Sequence, residues 1–133
     1  MNTTKICGIL KATQEKGGAY MCTAQQLNDL TADLVSEYRS LFGNSLRQVI
    51  LYGSYARGDF DEESDVDVAA LVDCPRETLH KAFEQLGEIS SELSLTYGIT
   101  VSPTAIPFAD FQNYQDALPY YRNIHDEGVQ LYA

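Results

Sequence analysis

The hydrophobic residues of this chain follow two different spacings, and the changes between them predict its helices and strands. Over residues 27–42 apolar side chains recur every three or four positions, which is the spacing of one helix face. Thr23 and Gln26 have the spacing of a capping box before this stretch, and Gly43 is placed to end it. The pattern predicts an amphipathic helix that packs on a sheet, with a partner-binding face as the lesser alternative.

Two short apolar runs, residues 49–52 and 66–72, have the length of buried strands. Helical spacing returns after Pro75 and continues to Gly98, which predicts one long helix crossing from one strand to the next. A further strand is predicted over residues 99–106, and Pro103 indicates its edge or its end. The remaining predicted elements are a short helical turn over 108–114, a last helix from Pro119 to Gly128 and a strand over 129–132.

This order of elements predicts the fold class. Helix, strand, loop, strand, helix, strand and helices suit an α/β (α+β) domain: a small mixed β-sheet with helices packed mainly on one side. We assign residues 23–133 to this domain and residues 1–22 to a weakly patterned N-terminal tail.

The net charge of the chain limits the kinds of partner that it is expected to bind. The 133 residues carry a formal net charge of −10 and a pI near 4.4. Binding of a long nucleic acid needs clustered Lys and Arg, so that partner is disfavoured. The balance suits a basic protein partner or a small Mg²⁺-bound nucleotide, with solubility alone as the plain alternative.

The cysteines and the lengths of the apolar runs indicate the cellular compartment in which the protein is expected. The three cysteines form no C-x-x-C pair, so we interpret them as thiols in a reducing cytosol. No apolar run approaches the roughly 18 residues of a membrane span, and the N-terminus lacks the apolar core of a signal peptide. We therefore expect a cytoplasmic protein without a membrane partner.

Two aspartates lie where the second predicted strand begins. Asp65 and Asp67 alternate with Val66, so they point to the same face, with Cα atoms roughly 6–7 Å apart. Two converging carboxylates can hold one or two Mg²⁺ ions while leaving room for phosphate oxygens. Val66 points the other way and is expected to anchor the strand in the core.

The first predicted strand ends in Gly53 and Ser54, which supply a complementary feature. Glycine after a buried strand allows a sharp turn and close approach of a ligand, and serine adds a hydroxyl. A short helix over 54–57 would direct backbone N–H groups at an anion. Arg57 is suited to contact a triphosphate, or equally to brace the acidic loop by pairing with Asp59 or Asp67.

The neighbouring side chains have simpler interpretations. We expect the acidic residues of the loop to form a solvated turn, the two histidines to be exposed, Tyr52 to lie in the core and Tyr55 to pack rather than stack on a base. These acidic and histidine residues are Asp59, Asp61, Glu62, Glu63, His80 and His125.

The segments G-S-Y-A-R-G-D (residues 53–59) and S-D-V-D-V (residues 64–68) resemble a known family. They are similar to the nucleotidyltransferase superfamily of DNA polymerase beta, and most of all to its small stand-alone minimal nucleotidyltransferases. The resemblance is strongest over residues 46–73. It implies a polymerase-beta-like nucleotidyltransferase fold and transfer of a nucleoside monophosphate, most plausibly AMP from Mg-ATP, to a hydroxyl.

The resemblance also implies roles and partners. Asp65 and Asp67 would be the catalytic, magnesium-binding pair, while Gly53, Ser54 and Arg57 would bind the nucleotide. The acceptor would be a HEPN-like toxin partner in a toxin–antitoxin module. A nucleotidyltransferase acting on small cationic molecules is a further option, ranked lower because such enzymes generally carry more chain.

One position departs from the family pattern. Active members usually carry a third carboxylate on the strand after the long helix, and here that position falls near Thr100 or Ser102. Asp110 comes later, beyond Pro107, and only a bend in the chain would return it. Without the third acid a second metal ion loses a ligand. The alternative hypothesis is therefore an antitoxin-like binding module, catalytically weak or inactive, that neutralises its partner by contact.

Overall fold

The computed structural model describes residues 23–133. The tail predicted for residues 1–22 lies outside the described residues. A 3-10 turn (Gly43–Ser45) follows the first helix. In chain order the helices and strands are α1 (Ala24–Phe42), β1 (Leu46–Tyr52), α2 (Ser54–Arg57), β2 (Val66–Val72), α3 (Arg76–His80), α4 (Phe83–Tyr97), β3 (Val101–Pro107), α5 (Phe108–Tyr114), α6 (Pro119–Glu127) and β4 (Val129–Tyr132).

The four strands form one mixed sheet in the order β3-β2-β1-β4. β1 pairs antiparallel with both β2 and β4, whereas β2 and β3 run parallel. Pro103 lies in β3 at the edge of the sheet, as predicted, because an edge strand needs fewer backbone donors than a central one. The predicted α/β class and the mixed sheet are confirmed.

Helices cover both faces of the sheet unequally, so the central strand β2 is apolar nearly throughout. Val66, Val68, Ala70 and Val72 face a larger core shared with α1 and α4. The opposite face holds a smaller core formed by Ile50, Ala69, Leu71, Ile106, Phe111, Tyr121 and Ile124, which includes α5 and α6. The long helices therefore lie on one side, as predicted, and two short helices occupy the side that Asp67 shares.

Local signals explain the ends of α1. Thr23 Oγ1 accepts from the Gln26 N–H at 3.0 Å, and the Thr23 N–H donates to Gln26 Oε1 at 2.9 Å, which completes the predicted capping box. Gly43 ends the helix at a positive φ of 56°. Tyr38 fastens the helix to the sheet, since its buried hydroxyl is shared between the carbonyls of Thr104 at 2.8 Å and Val68 at 3.2 Å.

The single helix predicted from Pro75 to Gly98 is wrong in one respect, because the structure divides it into α3 and α4. At the break the Lys81 N–H donates to the Thr78 carbonyl and the Ala82 N–H to that of Leu79. These bonds span three residues rather than four and tighten the turn. Leu79 and Leu86 both reach the larger core across the break, so the apolar spacing hides it.

None of the helices described between residues 23 and 133 combines the length and apolar character that a bilayer crossing requires.

Candidate active site

Gly53 joins β1 to α2 in a conformation that only glycine adopts readily, with φ 77° and ψ −157°. A Cβ atom at this position would lie 2.5 Å from Oδ2 of Asp67 and 3.4 Å from its Cγ. The backbone of Gly53 therefore packs directly against the Asp67 carboxylate. The structure brings together the glycine–serine corner and the second aspartate, as the sequence predicts.

Asp67 is held by the sheet on both sides. It is the second residue of β2 and pairs with Tyr52 of β1 and Ser102 of β3. Asp65 lies just before the strand and is exposed, while Val66 between them is fully buried in the larger core. The Val66 N–H donates to the Thr100 carbonyl at 2.9 Å, which fixes the point where β2 begins. Val66 is thus the predicted anchor.

The electrostatics of this pair favour a bound cation. Partial burial raises the pKa of Asp67, the negative charge of Asp65 raises it further, and Arg57 opposes both. Among residues 23–133, no lysine or arginine forms an ion pair with either aspartate. Two adjacent carboxylates whose charge no direct ion pair neutralises among the described residues are the donor set that a hard divalent cation prefers. The residues present therefore fit such an ion.

The turn after Gly53 uses part of its own hydrogen-bonding capacity. The N–H groups of Ala56 and Arg57 both donate to the Gly53 carbonyl at 3.0 Å. Gly58 then ends α2 at a positive φ of 85°, and its N–H donates to the Ser54 carbonyl at 2.9 Å. The predicted short helix is present. Two of the backbone N–H groups that were expected to face an anion therefore form hydrogen bonds within the turn instead. The partly exposed Ser54 is the first polar side chain of this turn.

Arg57 braces the neighbourhood of the turn. Its Nε donates to Oδ2 of Asp59 at 3.2 Å, and its Nη1 donates to Oε2 of Glu127 at 3.0 Å. Of the two alternatives that the sequence left open, the structure shows the bracing contact, with Asp59 rather than Asp67. Glu127 was missed, because it lies 70 residues further along the chain and no local pattern connects them.

The acidic loop closes on itself. Asp61 Oδ1 accepts from the Glu63 N–H at 2.9 Å and from the Ser64 hydroxyl at 3.2 Å. The acidic side chains of the loop are exposed, which agrees with the predicted solvated turn. Tyr55 is buried and stacks on Phe60 with ring centroids 4.3 Å apart, so it packs as predicted.

Tyr52 was expected to lie in the core, and it packs against the smaller core while remaining partly exposed. The side chain is only partly buried because Tyr52 ends β1 on the Asp67 face, beyond the larger core. Its hydroxyl lies 2.9 Å from that of Tyr120, and burial together with this contact raises the pKa of Tyr52. Tyr120, 68 residues away, was not identified from the sequence.

The expected place of a third carboxylate is occupied by Ser102, the β3 partner of Asp67. Within residues 23–133, no three or more His, Cys, Asp or Glu side chains are grouped to hold a metal ion. Asp110 does not return to the site. It lies in α5, beyond the far end of β3, and pairs with Arg76 at 2.9 Å.

Both histidines are exposed, as predicted. The ring of His80 packs edge-on against Phe83, with ring centroids 4.9 Å apart. His125 Nδ1 lies 3.0 Å from Oδ1 of the neighbouring Asp126. These contacts are local and lie outside the aspartate pair.

Comparison with known proteins agrees with this geometry. Residues 32–128 match the sequence profile of the nucleotidyltransferase domain. Two Methanocaldococcus jannaschii proteins, each named "putative protein adenylyltransferase", are similar. One is 29% identical over 100 residues, covering 75% of this chain and 92% of the relative. The other is 42% identical over 79 residues, covering 59% of this chain and 77% of the relative.

Solved structures of low sequence identity share the fold. A toxin–antitoxin structure determined with AMP-PNP superposes with a TM-score of 0.51 at 18% identity, covering 77% of this chain and 72% of that chain. A variant of the toxin–antitoxin MntA-HpeT gives a TM-score of 0.50 at 17% identity with the same coverage. At these identities the likeness concerns the fold alone.

Proposed function

This chain belongs to the nucleotidyltransferase domain family, and from that premise we propose that it transfers AMP from Mg²⁺-bound ATP to a hydroxyl of a toxin partner. A HEPN-like helical protein is the partner type that we propose. The adenylyltransferase names of the relatives and the AMP-PNP in the toxin–antitoxin structure support this assignment. Because ATP is the donor, we place the reaction in the cytoplasm.

The observation that carries the proposal is the packing of Gly53 against Asp67. It puts a corner that a phosphate chain can approach beside two carboxylates that form no ion pair with a lysine or arginine among the described residues. A nucleoside triphosphate with its divalent ion is the ligand class that needs both features at once.

Each residue has a definite task in this proposal. Asp65 and Asp67 would hold Mg²⁺, which would neutralise phosphate charge when bound. Gly53 lets the backbone come close to the β- and γ-phosphates, and the Ser54 hydroxyl donates to them. Arg57, at the exposed rim, is available to the triphosphate if its contact with Glu127 opens.

The reaction is an in-line displacement. The acceptor hydroxyl attacks the α-phosphorus, the bond to the bridging oxygen of the β-phosphate breaks, and pyrophosphate leaves. The hydroxyl proton leaves to water. Ser102 stands where a third carboxylate would assist, so positioning and charge neutralisation carry most of the rate.

The test uses ATP labelled at the α-phosphate. We expect Mg²⁺-dependent label on the product of the neighbouring gene when it is incubated with this protein. The variants Asp65→Asn and Asp67→Asn keep side-chain size, and each is expected to reduce labelling by about 10²–10³-fold. Circular dichroism checks that the variants are folded. Undiminished labelling by the folded double variant would falsify the assignment.

A second candidate function is neutralisation of the partner by contact alone. It is favoured by Ser102 in place of an acid and by the strong negative charge. The same variants separate the candidates. If Asp67→Asn still suppresses partner toxicity fully while transferring no AMP, contact is sufficient; loss of suppression with binding retained assigns the effect to transfer.

A further inference from the structure

Three large side chains are exposed where α5 meets α6. Tyr114, Leu118 and Tyr120 are 50%, 45% and 47% exposed, and we call them together the α5–α6 ledge. The backbone beneath them is fixed, because the N–H groups of Ala117 and Leu118 donate to the Tyr114 carbonyl at 3.0 and 2.9 Å. The Arg122 guanidinium also donates to the carbonyl of Asp116 in the same connection. An ordered segment thus presents apolar side chains to solvent.

The ledge is continuous with the candidate active site. The Tyr120 hydroxyl lies 2.9 Å from that of Tyr52, and their rings meet edge-on with centroids 5.9 Å apart. Tyr52 is the direct cross-strand partner of Asp67, and such pairs have Cβ atoms about 4.5–5.5 Å apart. At its other end α6 reaches the turn through Glu127 and Arg57. A molecule seated on the ledge is therefore one side chain away from Asp67.

Charge identifies the kind of occupant. Residues 23–133 contain 18 Asp and Glu but only six Lys and Arg. Three of these six, Arg47, Arg57 and Arg76, already pair with carboxylates. A second copy of this chain would be repelled by the like charge, and a nucleic acid would be repelled in the same way. A basic protein surface is attracted and can also cover the apolar side chains.

We propose that the α5–α6 ledge is the docking surface for the protein acceptor, a basic segment that covers Tyr114, Leu118 and Tyr120. The segment presents its hydroxyl toward Asp67 across Tyr52. This inference rests on the proposed function, because it names where the acceptor of that reaction binds. Tyrosine-rich, half-exposed surfaces of this kind are typical of the centres of protein interfaces.

The test replaces ledge residues that lie away from the aspartates. Leu118→Arg and Tyr114→Arg bring positive charge to the surface that a basic partner must cover. The matched control is Leu95→Arg, since Leu95 of α4 is 85% exposed and outside the ledge. Titration calorimetry with the purified neighbouring-gene product is expected to show binding weakened about 10-fold or more by the ledge variants. The control is expected to stay within about two-fold of wild type.

Other outcomes overturn the inference. They are no binding of the neighbouring-gene product to the wild type, equal affinity of the wild type and both ledge variants, or equal weakening by Leu95→Arg. Sedimentation velocity gives a further check. A wild-type dimer that Leu118→Arg dissociates would show that the ledge contacts a second copy instead.

Failure of the proposed function gives a different result. Binding of Mg-ATP to the isolated protein is expected to be unchanged in Leu118→Arg and lost in Asp67→Asn. If the aspartate double variant still transfers AMP, the assignment of the site fails whatever the ledge affinities show. If Asp67→Asn abolishes ATP binding but the ledge variants bind the partner as tightly as wild type, only the assignment of the docking surface is wrong.

Discussion

A carboxylate lies at each end of the parallel strand pair β2 and β3, and the two carboxylates differ in their ion pairing. At the far end Asp110 forms an ion pair with Arg76 at 2.9 Å. At the near end Asp67 sits beside Asp65, with no ion-paired Lys or Arg among residues 23–133. A paired acid is a surface stabiliser. Two adjacent acids without an ion pair repel each other and oppose folding, an arrangement that is common at ligand sites.

The backbone differs between the same two ends. Gly53, at the near end, has a φ of 77° that few other residues tolerate, and its open side faces Asp67. At the far end Pro107, the N-cap residue of α5, has an ordinary φ of −58° and ψ of 128°. A backbone conformation that only glycine adopts readily and unbalanced charge therefore coincide at the near end.

Among changes that keep both aspartates, the largest expected effect comes from adding a methyl group at the near end. In Gly53→Ala the new Cβ must displace the Asp67 carboxylate, and the positive φ adds a strain of about 1–3 kcal/mol. Because small misplacements at a reacting centre are costly, AMP transfer should fall by about 10²-fold. The measurement is transfer from α-labelled ATP together with chemical denaturation.

Gly98→Ala is the matched control. Gly98 also has a positive φ, 69°, but a Cβ there meets nothing within 4 Å. This variant should lose about 1–2 kcal/mol of stability from the left-handed backbone while transfer stays near wild type. Equal activity losses in the two variants would mean that general destabilisation, not contact with Asp67, explains the result.

The second largest effect is expected at Ser102, the uncharged residue that pairs with Asp67 across the sheet. Ser102→Asp places a third carboxylate in register with Asp67, where it can assist the acceptor hydroxyl or a second metal ion. Since general-base help is typically worth about 10²–10⁴-fold, a gain of about 10-fold in transfer is a conservative expectation. Ser102→Asn supplies similar size without charge. Activity no higher in Ser102→Asp than in Ser102→Asn would contradict a role for the missing acid.

Features that depend on short-range sequence signals were predicted well. The capping box at Thr23, the strand over residues 66–72 and the close packing of Gly53 with Asp67 all follow from short-range spacing and are present in the structure. The absence of an acid on β3 opposite Asp67 was also expected, because strand alternation limits the candidates to Thr100 and Ser102.

Long-range contacts could not be predicted in this way. Tyr120 and Glu127 meet the site from α6, 68 and 70 residues after their partners, and hydrophobic spacing does not specify which helix returns to which strand. The break between α3 and α4 was hidden for another reason. Leu79 and Leu86 face the same core on either side of it, so the apolar spacing looks continuous.

The smallest expected effects are changes in thermal stability. Neutralising the aspartate should have opposite effects on the Tm at the near end and at the far end. Burial and Asp65 raise the pKa of Asp67 above its value in the unfolded chain. Between the two pKa values the folded state keeps a proton that the unfolded state has released, so this group lowers stability as the pH rises through that window. Asp67→Asn removes the charge, and the metal-free variant should melt slightly above wild type at pH 7.

Asp110→Asn should do the reverse, with a slightly lower Tm, because it removes the partner of Arg76. Exposed ion pairs contribute little and are screened by salt, so this loss should shrink at high ionic strength. The check is differential scanning fluorimetry in EDTA at pH 7 and pH 5. The increase in Tm caused by Asp67→Asn should be smaller at pH 5, because wild-type Asp67 is protonated to a greater extent there. Mg²⁺ added in excess of the EDTA should raise the Tm of wild type and of Asp110→Asn but not that of Asp67→Asn. If Asp67→Asn melts below wild type at pH 7 without metal, the near end is a structural charge cluster like the far end, and the contrast between them fails.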